Sequence, residues 1–139
     1  MGKCIIFCAA GFDGLTQPIS PDDLIIAADG GVIDLVRDRL PHTPIHLSTQ
    51  ASVVSHRACD FWQRQGVSRV VLARELSLAE IKAIRARISS ELELECFIHG
   101  SMCISYSGRC LLSQYFTERD ANRGRCTQPC RWNYHTLTV

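Results

Sequence analysis

Residues 24–48 read LIIAADGGVIDLVRDRLPHTPIHLS, and their reading sets the pattern for the chain. Leu24 to Ala28 is a compact apolar run of strand length. Asp29-Gly30-Gly31 turns out of it, and Val32 to Leu40 continues as a short helix that Pro41 and Pro44 stop. Ile45-His46-Leu47-Ser48 is then a further strand, with its polar residues at and beyond its end. Strand, helix and strand in this order make one crossover unit.

The unit repeats on the C-terminal side. Ser52 is placed to cap a helix that runs to about Gln65 and stops at Gly66. Val67 to Ala73 reads as the next strand and ends in Arg74-Glu75. Ser77 caps another helix, Glu80 three residues on completes a capping box, and Leu78, Ile81, Ile84 and Ile88 form its apolar face at helical spacing. Leu92 to Ile98 is a fifth strand. On the N-terminal side, Cys4 to Ala10, closed by Gly11, reads as a buried first strand, and Gly14 to Asp23, with Pro18 and Pro21, as a loop.

Strands that are nearly all apolar, alternating with helices, argue an α/β protein with a parallel sheet covered by helices. The β/α repeats look like part of a TIM-type barrel, for which roughly 250 residues are typical; the 139 residues here are about half of that. In such folds chemistry sits at the carboxyl ends of strands. Those ends carry Asp29, Ser48 with Gln50, Arg74 with Glu75, and His99, which would line one rim.

A chain of this length suits one domain, and its net charge of +1 steers it to no particular partner. Local charge is different: Arg109, Arg119, Arg123, Arg125 and Arg131 lie close to the late cysteines, and the guanidinium fork suits phosphate or carboxylate. Eight cysteines could make four disulfides in a small secreted protein. No charged segment precedes a long apolar one, however, and no apolar run approaches the ~18 residues of a membrane span. The expectation is a cytoplasmic protein away from membranes, where clustered cysteines bind metal or do chemistry.

Residues 91–132 hold five of the eight cysteines, and Cys103, Cys110, Cys126 and Cys130 follow one another at intervals of seven, sixteen and four. Thiolates select zinc, copper(I) and iron–sulfur clusters. Structural zinc sites favour paired short knuckles, and only Cys126 and Cys130 have that spacing, so an iron–sulfur cluster is favoured and zinc remains the alternative. Buried apolar cysteines or disulfides are the blander reading. The segment from Ser101 to Arg125 should be irregular apart from a helix around Leu111 to Phe116, and a loop that long calls for something such as a metal to order it.

His99 and Cys103 also suggest a histidine-activated thiolate. Glu75 is either a general base or half of an ion pair with Arg74. His46 faces a similar choice, with a core histidine the safer reading. Cys59, on a helix beside Phe61 and Trp62, and Cys96, within the fifth strand, read as core; Cys4 and Cys8, which share a face of the first strand, could ligate metal, with burial the favoured reading. Trp132 and Tyr134, after Arg131, could stack on a base or ring, or close the core over the cluster.

Two stretches carry a family resemblance: residues 95–103, ECFIHGSMC, and residues 108–113, GRCLLS. They resemble the signature of the peptidase U32 family, the collagenase-like proteases. The likeness continues upstream through PIHLSTQ at 44–50 and VVLARELS at 70–77, and downstream through RDANRG at 119–124 and QPCRW at 128–132. It covers about residues 32 to 139. The resemblance implies a TIM-barrel-like catalytic domain, with relatives that act in hydroxylation of transfer RNA, ribosomal RNA or ubiquinone precursors and hold a [4Fe–4S] cluster. By position Cys103, Cys110, Cys126 and Cys130 look like its ligands. The opening, residues 3–14 with 22–31, instead looks like the start of a thiamine pyrophosphokinase, whose Asp-Gly-Gly turn helps hold nucleotide and metal. The two patterns overlap between Asp22 and Gly31. The division expected is therefore a kinase-like segment at 1–31, its boundary between 20 and 35, joined to a partial U32 domain at 32–139, as a fusion or recombined frame.

Three functions follow as expectations. The first is a [4Fe–4S]-binding piece related to enzymes that modify RNA or a small aromatic substrate, with His99, Glu75 and Arg131 shaping the pocket. The second is a collagenase-like peptidase acting on peptides, with a thiolate or metal-bound water as nucleophile. The third is a non-catalytic remnant.

Overall fold

A computed structural model describes residues 4–7, 20, 23–100 and 102–135. Five strands form one sheet: β1 (Cys4–Phe7), β2 (Leu24–Ala27), β3 (Ile45–Leu47), β4 (Arg69–Val71) and β5 (Glu93–Glu95). They lie side by side in chain order, every neighbouring pair parallel. Helices α1 (Gly30–Arg39), α2 (His56–Arg64) and α3 (Leu78–Arg85) make the three crossovers from β2 to β5. The parallel α/β sheet expected from the apolar runs is thus present. Each strand adds on the same side as the last, and right-handed crossovers then bring all three helices to the same face of the sheet.

Side-chain alternation divides the sheet accordingly. Ile25, Ile45, Leu47, Val70 and Leu72 belong to the core, together with Ile33 and Val36 of α1, Cys59 of α2 and Ile84 of α3. In register with them but pointing to the other face, His46 stands beside Arg69, and Arg69 beside Glu93. The Arg69 guanidinium donates to the Glu93 carboxylate through Nε at 2.6 Å and to Glu95 at 3.5 Å. One face is therefore dry and apolar while the other carries a row of charge.

Local chemistry fixes the helix ends. Asp29 takes extended backbone and its Oδ1 accepts from the Gly31 and Val32 amides, so this residue is spent capping α1. The capping box expected at Ser77 is formed: Ser77 Oγ accepts from the Glu80 amide at 3.3 Å, and the Glu80 carboxylate accepts from the Ser77 amide at 2.8 Å. The Ser77 hydroxyl, which also donates to the Glu80 carboxylate at 2.6 Å, and then the Ser77 amide hold the Glu80 carboxyl below its usual range. Arg85, near the end of α3, donates to the Leu92 and Ile88 carbonyls and closes the turn into β5.

Some expectations fail for definable reasons. The cap of α2 is Ser55, not Ser52. Ser52 has left-handed backbone (φ 52°) and closes a 3-10 turn at Thr49–Ala51, whereas a cap needs the extended backbone that Ser55 has. Leu78 does not join the apolar face of α3, because it begins the helix and stands exposed; Ile81 and Ile88 do pack on the core. The fifth strand spans three residues, not seven. It lies at the sheet edge with one partner, so Glu93 and Glu95 reach solvent, Cys96 is exposed rather than core, and Ile98 is 91% exposed. The first strand ends at Phe7; residues 8–19, with Cys8, lie outside the described residues.

Two buried groups have consequences for solution behaviour. Burial pushes the Cys59 thiol up to about 11, with Asp60 adding to the effect. Peptide mapping after alkylation near neutral pH should therefore leave Cys59 unmodified in the folded chain and label it once the chain is unfolded; equal labelling in both states would contradict its burial. His46 is held below its usual 6.5 chiefly by burial and then by Arg69, against the pull of Glu95 and Glu93. The unfolded chain therefore takes up a proton more readily than the folded one as pH drops. Stability from this site is present above about pH 6.5 and is lost as the pH falls through the lower folded value. His46→Gln should make the fall in Tm between about pH 7.5 and 5.5 shallower than in the parent; parallel profiles would exclude His46 as its source.

Candidate functional site

Beyond β5 the chain folds back over the carboxyl ends of β3 and β4. At the end of β3, Ser48 Oγ accepts from the Gln50 amide at 3.2 Å, and Thr49 Oγ1 donates to the Leu72 carbonyl, which ties this turn to β4. Just past β4, the Arg74 guanidinium donates to the Cys103 carbonyl, to the Ser105 carbonyl at 2.6 Å and to Ser107 Oγ at 2.8 Å. From the other side Arg131 Nη2 donates to the Met102 carbonyl at 3.0 Å. Two arginines thus clamp residues 102–107. The ion pair between Arg74 and Glu75 considered from sequence is not what Arg74 makes, because its fork is occupied by the loop.

Helix α4 (Leu112–Thr117) follows, close to the helix expected at Leu111 to Phe116. Its fully buried Ser113 accepts from the Thr127 amide at 3.1 Å, and Thr127 Oγ1 lies 3.2 Å from both Ser113 Oγ and Thr117 Oγ1. This polar knot holds the chain next to Cys126 against α4. Gln128 takes left-handed backbone (φ 55°), and its amide donates to Cys126 Sγ at 3.3 Å. Gly108 is also left-handed (φ 74°), a conformation that suits glycine, and its backbone passes close to Gln50.

These segments line an open cavity of about 340 Å³. Cys103, Cys110, Cys126 and Cys130 all line it, with Thr49 and Gln50 from the end of β3, Arg74, Asn122 and Arg131. All four are free thiols. No aspartate or glutamate of the described residues is in the lining. Among the described residues no three histidine, cysteine, aspartate or glutamate side chains converge tightly enough to hold one metal ion. The structure brings together the four cysteines, Gln50, Arg74 and Arg131. It does not bring in His99 or Glu75, which are exposed and lie outside the lining. Thr49 and Asn122 were not singled out from sequence for the pocket; their places depend on 3-10 turns that carry no strong signal of their own.

Because Arg74 supplies three bonds to the loop, and hydrogen bonds from charged donors are worth about 1.5–3 kcal/mol each, Arg74→Ala should loosen residues 102–109 selectively. Hydrogen exchange in that segment should rise about tenfold or more while β2 to β4 keep their protection. Arg74→Lys should not restore it, since an ammonium lacks the planar fork. Unchanged exchange in Arg74→Ala would remove the clamp.

The model of Peptidase family U32 matches residues 16–138. The chain is 51% identical over 113 residues to tRNA hydroxylation protein P of Escherichia coli, a match covering 81% of this chain and 25% of that protein. It is 39% identical over 112 residues to the 23S rRNA 5-hydroxycytidine C2501 synthase of Escherichia coli, covering 81% of this chain and 16% of the synthase. It is 40% identical over 112 residues to an uncharacterized protease of Methanocaldococcus jannaschii, covering 78% of this chain and 27% of that protein. The chain therefore spans about a quarter or less of the length of these relatives. No solved structure matches. The family match takes in the Asp29-Gly30-Gly31 turn, and these relatives lend the thiamine pyrophosphokinase resemblance no support. With most of its length under one family model and with relatives at this identity, the chain belongs to peptidase family U32.

Proposed function

We propose that this chain is the cluster-holding part of a U32 protein that hydroxylates RNA, with Cys103, Cys110, Cys126 and Cys130 as the ligands of a [4Fe–4S] cluster. The observation that carries the reading is that all four thiols line one cavity at the carboxyl ends of β3 and β4. The donor set fits an anionic group. A backbone amide already donates to Cys126 Sγ, two guanidinium groups stand in the lining, and no carboxylate of the described residues opposes them. The wide, irregular spacing of the four cysteines along the chain suits a cluster better than the paired short knuckles of a zinc site, and zinc stays as the alternative. When bound, a cluster of this kind supplies electron transfer or a site for substrate.

The chain's own residues have separable tasks in this reading. Arg74 and Arg131 hold the loop that carries Cys103 and set positive charge beside the thiols. Gln50 and Asn122 present amide groups to whatever enters the cavity. The names of the relatives point to transfer or ribosomal RNA as the substrate class. Strands that each add beside the last fit a part of a β/α barrel, in which a site at this end of the sheet is the expected position. A peptidase has less in its favour, as His99 and Glu75 stand outside the cavity.

Purified without oxygen, the chain should show broad absorption near ~400 nm with about four irons per chain. Cys110→Ser and Cys126→Ser should each lose most of that iron. Colourless protein with one zinc would overturn the cluster. Expression in cells lacking their own tRNA hydroxylation protein P, followed by mass spectrometry of RNA nucleosides, tests the activity. A nucleoside one oxygen heavier, absent with Cys126→Ser, is expected; a cluster without that nucleoside would assign the chain to the non-catalytic reading.

A further inference from the structure

Beside the lining residues Pro129, Cys130 and Arg131 is a group of aromatic rings that the thiols do not explain. Phe116 of α4 lies 6.0 Å from the Trp132 ring and 6.2 Å from the Tyr134 ring, centroid to centroid, and Tyr115 stands against Phe116 at 5.1 Å. These are not core residues. Phe116 is 47% exposed, Trp132 43%, Tyr134 59% and Tyr115 81%. Large rings gathered at the surface call for a partner.

The polar ends of Trp132 and Tyr134 are already committed. Trp132 Nε1 donates to the Thr127 carbonyl at 3.3 Å, and Tyr134 Oη donates to the Pro129 carbonyl at 2.8 Å. Such bonds fix ring orientation and leave the ring faces as what a ligand can use. A partner would therefore be held by stacking rather than by hydrogen bonds to these side chains. Both carbonyls belong to the segment that carries Cys126 and Cys130, so the rings are tied to the wall of the cavity.

Charge narrows the partner. From residue 96 to the end the chain has five arginines against two acids, Glu118 and Asp120, whereas the preceding part carries more acids than bases. Arg119, Arg125 and Arg131 are exposed. Stacking faces together with exposed guanidinium groups match a ligand that offers flat rings on an anionic backbone.

We propose that Phe116, Trp132 and Tyr134 form a platform on which unpaired bases of an RNA strand stack, with Arg119 and Arg125 meeting the phosphates and the strand leading toward the cysteine-lined cavity. The proposal rests on the RNA reading above and adds the subsite and the single-stranded form of the ligand.

The test is fluorescence anisotropy with a labelled oligouridylate of about twelve nucleotides, and with a duplex of the same length, on the full chain. The single strand should bind more tightly. Trp132→Ala and Phe116→Ala should each weaken it about tenfold without changing the dependence on salt, while Trp132→Phe, which keeps a ring, should retain most of the affinity and controls for folding. Arg119→Gln with Arg125→Gln should flatten the salt dependence. Parent-like affinity in Trp132→Ala and Phe116→Ala would overturn the platform and leave the RNA reading standing. No binding by the parent chain would overturn both. A dimer that Trp132→Ala dissolves, with RNA affinity unchanged, would give the rings to a second copy of the chain and likewise overturn the proposal.

Discussion

Parallel pairing is the constraint from which the rest of this structure follows. Two parallel strands cannot be joined by a tight turn, so each pair from β2 to β5 needs a crossover, and each crossover here contains a helix. Because every strand adds on the same side, the three helices share one face and supply the apolar layer that buries Ile25, Leu47 and Val70. All strands then end at the same edge. That common edge is why residues as far apart in sequence as Thr49, Arg74 and Cys130 meet around one cavity.

The cavity is organised by charge donated to backbone. Arg74 and Arg131 between them hold carbonyls of residues 102, 103 and 105, in a segment with little regular structure to hold itself. The same guanidinium groups lie beside four thiols, with no carboxylate of the described residues in the lining. An arrangement that orders a loop and biases the site toward anions with the same two side chains makes structure and chemistry interdependent there. The Ser113–Thr127–Thr117 knot is a neutral counterpart, tying the chain beside Cys126 to α4 where no charge is spent.

Sequence reading located the elements of the sheet well because apolar strand runs and capping residues are local signals. Ser77 with Glu80 and the Asp29 turn both appear where their chemistry requires. It placed edges poorly. Leu92 to Ile98 looks like a buried strand, yet at the sheet edge only one side is covered, and Cys96 and Ile98 face solvent. Ser52 and Ser55 are chemically equivalent as caps, and the backbone conformation that separates them is imposed by the turn that follows β3.

The sequence by itself determined the parallel α/β class, the family, and the four cysteines as a set, because each depends on residue type and spacing along the chain. Tertiary structure alone decided which polar residues share the cavity with them. Arg74, read locally, faces Glu75; in three dimensions its fork reaches a loop some thirty residues on. His99 and Glu75, each at or beyond a strand end, remain outside the lining, while Thr49 and Asn122 enter it. The physical reason is that strand ends fix only a common edge, and the path of the chain folded back over that edge selects which side chains it covers.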